Sequence, residues 1–308
     1  MVVNQDGAPP GIICALATPF NKDETVDLGA MRRLLDFQIE KGMHGLFPLG
    51  TTGEGVLMNP DERMALAEAV ADHVGDRAPV LVHCGAPDTK TAADLARHAA
   101  GLRVAGVATV APYYFTYGPD DLYRHFVTVA EASPGTANYL YENPDRVGYS
   151  LGVPVVTRLV NEVPNIRGIK DTGDSIGRLQ AYLAQPGIQP EIYTGNNMTI
   201  LPALIIGARG AVSALANAVP ELVVRLYASF VEGDLAEARA LQLSLARVHG
   251  ALSGLSYVGA VKHLLERRGL PSGGTRAPQP AMTPEQATLI DQRLDAWDDL
   301  LPWFAPAG

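Results

Sequence analysis

The chain is short of several things, and each shortage excludes a class of protein. There are 2 cysteines in 308 residues, too few for a disulfide framework. Cys14 and Cys84 each sit inside a short apolar run and read as free, buried thiols, which suits a reducing cytoplasm. Basic residues number 24 against 33 acidic ones, a net charge of −9. Such a surface opposes nucleic acid and anionic membranes, and the excess acid reads as solubility. No apolar run approaches the roughly 18 residues that a membrane-spanning helix needs. The stretch Met1–Pro10 lacks both the basic start and the apolar centre of a signal peptide. The 7 histidines are scattered without metal-ligand spacing. Neither G-x-G-x-x-G nor G-x-x-x-x-G-K-[ST] occurs.

What is present is the composition of a globular protein, 47% apolar and 19% charged. After a disordered-looking start, an alternation of short apolar runs and helical stripes begins. Strands are predicted at 11–20, 45–49, 79–83, 106–110, 137–141, 166–170, 191–194 and 210–213. Helices are predicted between and after them at 28–41, 59–73, 88–100, 119–132, 154–161, 175–183, 197–206 and 220–231. Alternation of this kind implies parallel pairing. Eight units close naturally into a (β/α)8 TIM barrel of the α/β class, whose reactive groups gather at the C-terminal strand ends. An open doubly wound sheet is the alternative; it commonly uses fewer units and a glycine-rich first turn. Beyond residue 233 the strand signals stop. The division is therefore a barrel over 11–233 and a C-terminal helical extension over 234–308, with helices at 234–250, 256–268 and 283–301.

The barrel rule directs attention to where strands stop. The run Ile166-Arg-Gly-Ile169 ends in Lys170. A lysine there could snorkel to solvent, but a buried one loses hydration, and its pKa falls toward the range where the free amine attacks ketones. Gly168, one step below on the same face, would leave room beside it. Tyr141 ends the fifth strand and can supply the acid/base group that imine chemistry requires, with Thr51 as a hydroxyl relay. Taken alone, Tyr141 is more often a core-edge tyrosine. Gly50-Thr-Thr-Gly53 follows the second strand and can present backbone N–H groups to a carboxylate, or can serve as an ordinary turn. Glu54 and Asp171 read as loop-holding groups, and His83 as strand-end packing.

At this point the residues resemble the dihydrodipicolinate synthase/N-acetylneuraminate lyase family of pyruvate-dependent class I aldolases, over about residues 11 to 285. The pieces, in order, are Gly50-Thr-Thr-Gly-Glu54, Pro112-Tyr-Tyr114, Leu140-Tyr141 with Pro144 and Arg146, Gly168-Ile-Lys170, Gly195, and Gly210-Ala-Val-Ser213. The resemblance implies a barrel with a helical extension, assembled as a homotetramer of tight dimers in the cytoplasm. It implies that Lys170 forms an imine with pyruvate, that Tyr141 is the acid/base, and that Thr51 binds the carboxylate beside Thr52. Tyr114 matches the tyrosine that a neighbouring subunit lends to the relay. Gly50, Gly195, Val212 and Thr172 join the substrate-binding set. The partners are pyruvate and an aldehyde, or the 2-keto-3-deoxy acid they form. Neither metal nor organic cofactor is implied, because the protonated imine is the electron sink.

The subtype divides two ways. Arg146 matches the arginine that synthases use for the carboxylate of aspartate semialdehyde, a contact suited to a guanidinium fork; it is otherwise a surface arginine. Against that, Lys170-Asp-Thr172 looks more like the 2-keto-3-deoxygluconate aldolases. Gly55-Val-Leu-Met58 and Leu255-Ser-Tyr-Val-Gly259 also depart from the synthase pattern, and Glu142 stands where Asn is common. The expectation is a 2-keto-3-deoxy sugar acid aldolase, with 4-hydroxy-tetrahydrodipicolinate synthase as the alternative. A catalytically silent oxo-acid-binding barrel is the further alternative. Thr91 stands where lysine-inhibited synthases have glutamate, so no lysine feedback is expected.

Overall fold

The computed structural model describes residues 7–187 and 189–306, so the first six residues of the predicted disordered start and the last two of the extension lie outside it. Eight strands run β1 Gly11–Ala15, β2 Gly45–Phe47, β3 Leu81–His83, β4 Gly106–Val110, β5 Asn138–Glu142, β6 Ile166–Asp171, β7 Glu191–Thr194 and β8 Gly210–Ser213. They pair in parallel in the order β2-β1-β8-β7-β6-β5-β4-β3. A parallel Leu46–Val80 bridge closes the ring.

The helices are α1 Leu28–Glu40, α2 Pro60–Val74, α3 Thr89–Ala100, α4 Pro119–Ala132, α5 Pro144–Val147, α6 Val153–Glu162, α7 Ile176–Leu183, α8 Ile200–Ile205 and α9 Pro220–Glu232. Their starts follow from capping chemistry. Asp27, Asp88 and Ser175 each accept a backbone N–H from the first turn that follows. Asn59 and Glu62 form a reciprocal capping box with Pro60 at the first position. Gly233, in the left-handed region, ends α9. Three further helices follow: α10 Leu235–Ala251, α11 Tyr257–Arg267 and α12 Pro284–Asp295.

Four sequence readings are corrected. Strands β1 and β2 stop short of their predicted ends, because the apolar residues beyond them fill loops on the barrel top, and β3 starts only at Leu81, Val80 making no more than an isolated bridge to Leu46. The last helix stops at Asp295 instead of running to 301, and the apolar spacing past it continues as a tight 3-10 turn, Leu301–Phe304. The predicted 197–206 helix likewise opens as a 3-10 turn, Asn197–Thr199, before α8. Residues 8–10 are not loose: Ala8 donates its N–H to Tyr139 Oη at 2.7 Å, and the Tyr193 hydroxyl donates to Ala8 O at 2.9 Å. The segment therefore plugs the bottom of the barrel.

Inside the ring, Ile13, Phe47, Leu81, Ala108, Tyr139, Tyr193 and Val212 form one buried cluster. Strand alternation then places the next inward positions, Tyr141 and Lys170, one layer higher, paired side by side across β5 and β6. Gly168 has a different reason from the one its sequence position suggests. A Cβ there would lie 2.0 Å from the Glu191 carbonyl oxygen, so the glycine permits the close approach of β6 to β7.

Candidate active site

Lys170 is 6% exposed. Its Nζ stands 3.9 Å from the centre of the Tyr141 ring and 4.6 Å from that of Phe47. Burial drives its pKa below the ordinary lysine range, while Tyr141 partly offsets the shift, and no carboxylate contributes. The Tyr141 hydroxyl lies 3.2 Å from Thr51 Oγ1. It also accepts a hydrogen bond from Asn143 Nδ2 at 2.9 Å. Three strand ends thus converge on one phenol: β2 through the Thr51 loop, β5 through Tyr141 itself, and β6 through the lysine beneath it.

A cavity of about 380 Å³ opens above this group, and Thr51, Thr52, Tyr141, Lys170, Thr172, Gly195 and Val212 all line it. Seven of the predicted site residues therefore share one space. Gly195 has no room for a side chain, since a Cβ would lie 2.2 Å from Thr172 Cγ2 and 3.1 Å from Lys170 Cε. Thr172 is held by donating its hydroxyl to Glu142 O at 2.9 Å. The backbone N–H groups of Thr51 and Thr52 make no hydrogen bond among the described residues.

The other three do not join that space. Gly50 sits under the loop, where a Cβ would lie 2.7 Å from the Phe47 ring, and its carbonyl accepts from Gly55 N. Tyr114 is 88% exposed, at a φ of 83°, with its ring edge-on to Phe115. Arg146 lines a neighbouring cavity of about 170 Å³ with His83, Tyr113 and Gln279; Thr51 and Asn143 are common to both cavities.

The loop-holding groups can be followed bond by bond. Glu54, in the left-handed conformation, faces Lys262 of α11 at 2.7 Å and accepts Arg276 N at 2.9 Å. Asp171 receives two hydrogen bonds from Arg178, at 2.7 and 2.6 Å. His83 is buried, its Nδ1 lies 3.0 Å from Leu49 O, and its ring stands edge-on to Tyr141. Both thiols are buried and unpaired, and burial raises the pKa of each, Cys84 to about 12.

Sequence reasoning missed Asn143, the residue just after β5, because no local pattern marks a side chain that turns back to the Tyr141 hydroxyl. It also missed Asn197, which donates Nδ2 to the Tyr257 hydroxyl and accepts from Ser213 Oγ. Tyr257 and His249 reach the cavity from α11 and α10. No local pattern signals a wall built by the helices that follow the barrel.

A barrel whose strand ends gather a buried, acid-free lysine, a tyrosine and a pair of threonines defines an enzyme of the lyase class. A model of the dihydrodipicolinate synthetase family matches residues 8–296, and the chain belongs to that family. It is 38% identical over 266 residues to a probable 2-dehydro-3-deoxy-D-pentonate aldolase of Escherichia coli (strain K12), covering 85% of this chain and 88% of that protein. It is 38% identical over 242 residues to a 4-hydroxy-tetrahydrodipicolinate synthase of Pelobacter propionicus, covering 79% and 82%. Among solved structures, an E. coli K12 prophage protein of the same family, in complex with pyruvate, superposes with a TM-score of 0.89 at 28% identity, covering 93% of this chain and 98% of that one. The chain is accordingly an aldolase-type lyase of the family. No helix among the described residues is long and apolar enough to cross a membrane.

Proposed function

We propose that the protein is a Schiff-base aldolase that joins pyruvate reversibly to a neutral hydroxyaldehyde, giving a 2-keto-3-deoxy sugar acid. The Lys170 amine adds to the pyruvate ketone, and loss of water leaves the imine. Loss of a methyl proton gives the enamine. Its carbon then bonds to the aldehyde carbon, the aldehyde oxygen takes up a proton as a hydroxyl, and water releases the product. Tyr141, bonded to Thr51 and Asn143, is the group placed to carry those protons. The free N–H groups of Thr51 and Thr52 suit the pyruvate carboxylate.

One observation carries the choice of aldehyde. The Lys170 cavity is lined by two carboxylates, Asp145 and Asp174, and Lys170 is its one lysine or arginine among the described residues. A second anionic substrate would meet like charge there. The likeness to the E. coli pentonate aldolase points the same way.

A second reading, condensation of pyruvate with aspartate semialdehyde, is favoured by Arg146, whose cavity shares Thr51 and Asn143 with that of Lys170. Turnover of glyceraldehyde against aspartate semialdehyde, at saturating pyruvate, decides between them; the aldolase reading expects glyceraldehyde to win. A barrel that binds oxo acids without turnover is opposed by the intact Lys170, Tyr141 and Thr51 set.

A homotetramer is supported by the exposed Tyr114 and Phe115, at 88% and 65%, which fit a face covered by a neighbouring subunit that receives Tyr114 in its relay. A cytoplasmic location is supported by the two free cysteines. With Thr91 at the position discussed above, no lysine inhibition follows.

A further inference from the structure

We propose that Asp174 and His249 form a hydroxyl-reading clamp at the far end of the Lys170 cavity and so set which aldehydes the enzyme accepts. The proposal rests on the aldolase reading and goes further, assigning specificity to a loop after β6 and to a helix outside the barrel.

Pyruvate, on this reading, occupies the end of the cavity formed by Lys170, Tyr141 and Thr51. The substituents of the aldehyde must then extend toward the remaining wall. That wall holds Asp174, Asn196, His249 and Tyr257. Asn196 donates Nδ2 to Asp174 Oδ1 at 2.5 Å, which fixes the carboxylate and leaves Oδ2 without a hydrogen bond among the described residues. An ionised carboxylate only accepts, so its natural partners are hydroxyl donors. His249 belongs to the last turn of α10. Its Nδ1 is buried without a partner, and its ring leans on Tyr257 at 5.9 Å between centres. Burial lowers its pKa, so the ring is neutral near pH 7 and offers one donor and one acceptor.

Asp174 and His249 both line the cavity and form no ion pair with each other among the described residues. They face a common space instead of closing it. A pair of neighbouring hydroxyls can fill that space, one donating to Asp174 and the other exchanging with His249.

The wall is also rigid. Gln242 of α10 accepts Leu201 N at 2.9 Å and donates to Asn197 O at 2.9 Å. Tyr257 of α11 accepts from Asn197 Nδ2 at 2.9 Å. The helices after the barrel are thereby bolted to the β7 loop that carries Asn196, which is the preorganisation a specificity contact needs.

The test compares glyceraldehyde with propanal, which has the same carbon chain and no hydroxyls, at saturating pyruvate. It uses the full-length enzyme and its Asp174→Ala, Asp174→Asn and His249→Phe variants. Borohydride trapping of the pyruvate adduct on Lys170 is run in parallel and shows that each variant folds and performs the first half-reaction.

The proposal expects the glyceraldehyde-to-propanal ratio of kcat/KM to fall about tenfold or more in Asp174→Ala and less in His249→Phe. The loss should lie in the KM for glyceraldehyde, with trapping unchanged. Asp174→Asn should gain several-fold on succinic semialdehyde, because one of the cavity's two like charges is gone. An unchanged ratio in Asp174→Ala and His249→Phe, with trapping intact, overturns the clamp. Failure of the unmodified enzyme to trap pyruvate at all overturns the aldolase reading, and the clamp with it.

Discussion

Lys170 and Lys262 are both buried lysines, and burial lowers the pKa of both. They differ in what stands opposite. Lys262 meets the Glu54 carboxylate at 2.7 Å and donates to Gly274 O at 2.7 Å. The Lys170 ammonium meets the faces of Tyr141 and Phe47 and no carboxylate among the described residues. A buried ammonium with a carboxylate keeps its proton and holds structure together. One without a counter-charge pays for its burial in basicity and is left with a usable lone pair. The two are also linked. Lys262 anchors Glu54, Glu54 ends the loop that carries Thr51, and Thr51 meets the hydroxyl of the tyrosine above Lys170. The first lysine positions part of the site of the second.

The sharpest way to break the comparison is to remove each ammonium in turn. Lys170→Met should lower aldol turnover by on the order of 10⁴-fold or more, as loss of a nucleophile does. Its melting temperature should hold or rise, because an unpaired buried charge has gone. A fall in stability without loss of turnover would reverse the two roles.

Lys262→Met should do the opposite. It leaves Glu54 buried and uncompensated, at a cost of about 3–5 kcal/mol in denaturant unfolding. The folded fraction should still trap pyruvate. Adding Glu54→Leu to Lys262→Met should return most of that stability, and failure to recover any would mean that the pair is not what holds the seam.

Smaller effects sharpen the picture at the phenol. Thr51→Val keeps the shape and removes the hydroxyl bonded to Tyr141, and kcat should fall about 10²-fold. Thr51→Ser should recover most of it. Arg146→Ala should raise the KM for a carboxylated aldehyde and leave that for pyruvate within about twofold; equal effects on both would remove Arg146 from second-substrate binding.

The subtlest difference is in pH. On the proposed reading the neutral amine is the nucleophile, so the rate of pyruvate adduct formation should climb with pH through a midpoint below 10.5, the ordinary lysine value. In the same window the unfolded chain binds more protons than the folded one, so the Lys170 contribution to stability improves as pH rises toward 10.5. Lys170→Met should lose that gain. A midpoint at 10.5 or above would mean that burial does not tune this lysine.

Much of this was legible in the sequence because it is local. The runs at Gly106–Val110, Glu191–Thr194 and Gly210–Ser213 are bounded by turn residues, and strands form over those same spans. Lys170 ends a run of apolar residues, and strand alternation alone turns it inward. Proline and capping residues marked the helix starts at Pro60, Thr89 and Pro119. What was hidden is either too short or too distant. Helix α5 has 4 residues, less than any helical period can show, yet it carries Asp145 and Arg146 to different cavities. Glu54 and Lys262 lie far apart in sequence, and nothing near either one names the other. His249 and Tyr257 sit on helices read only as an appendage, and it takes the closed barrel to bring them to the lysine.

The central claim is that one buried lysine is a nucleophile and the other is not. Incubation with pyruvate, borohydride reduction and peptide mapping by mass tests it most directly. The account predicts a pyruvate-dependent adduct on Lys170 and none on Lys262. An adduct on Lys262, or none on Lys170, would contradict it.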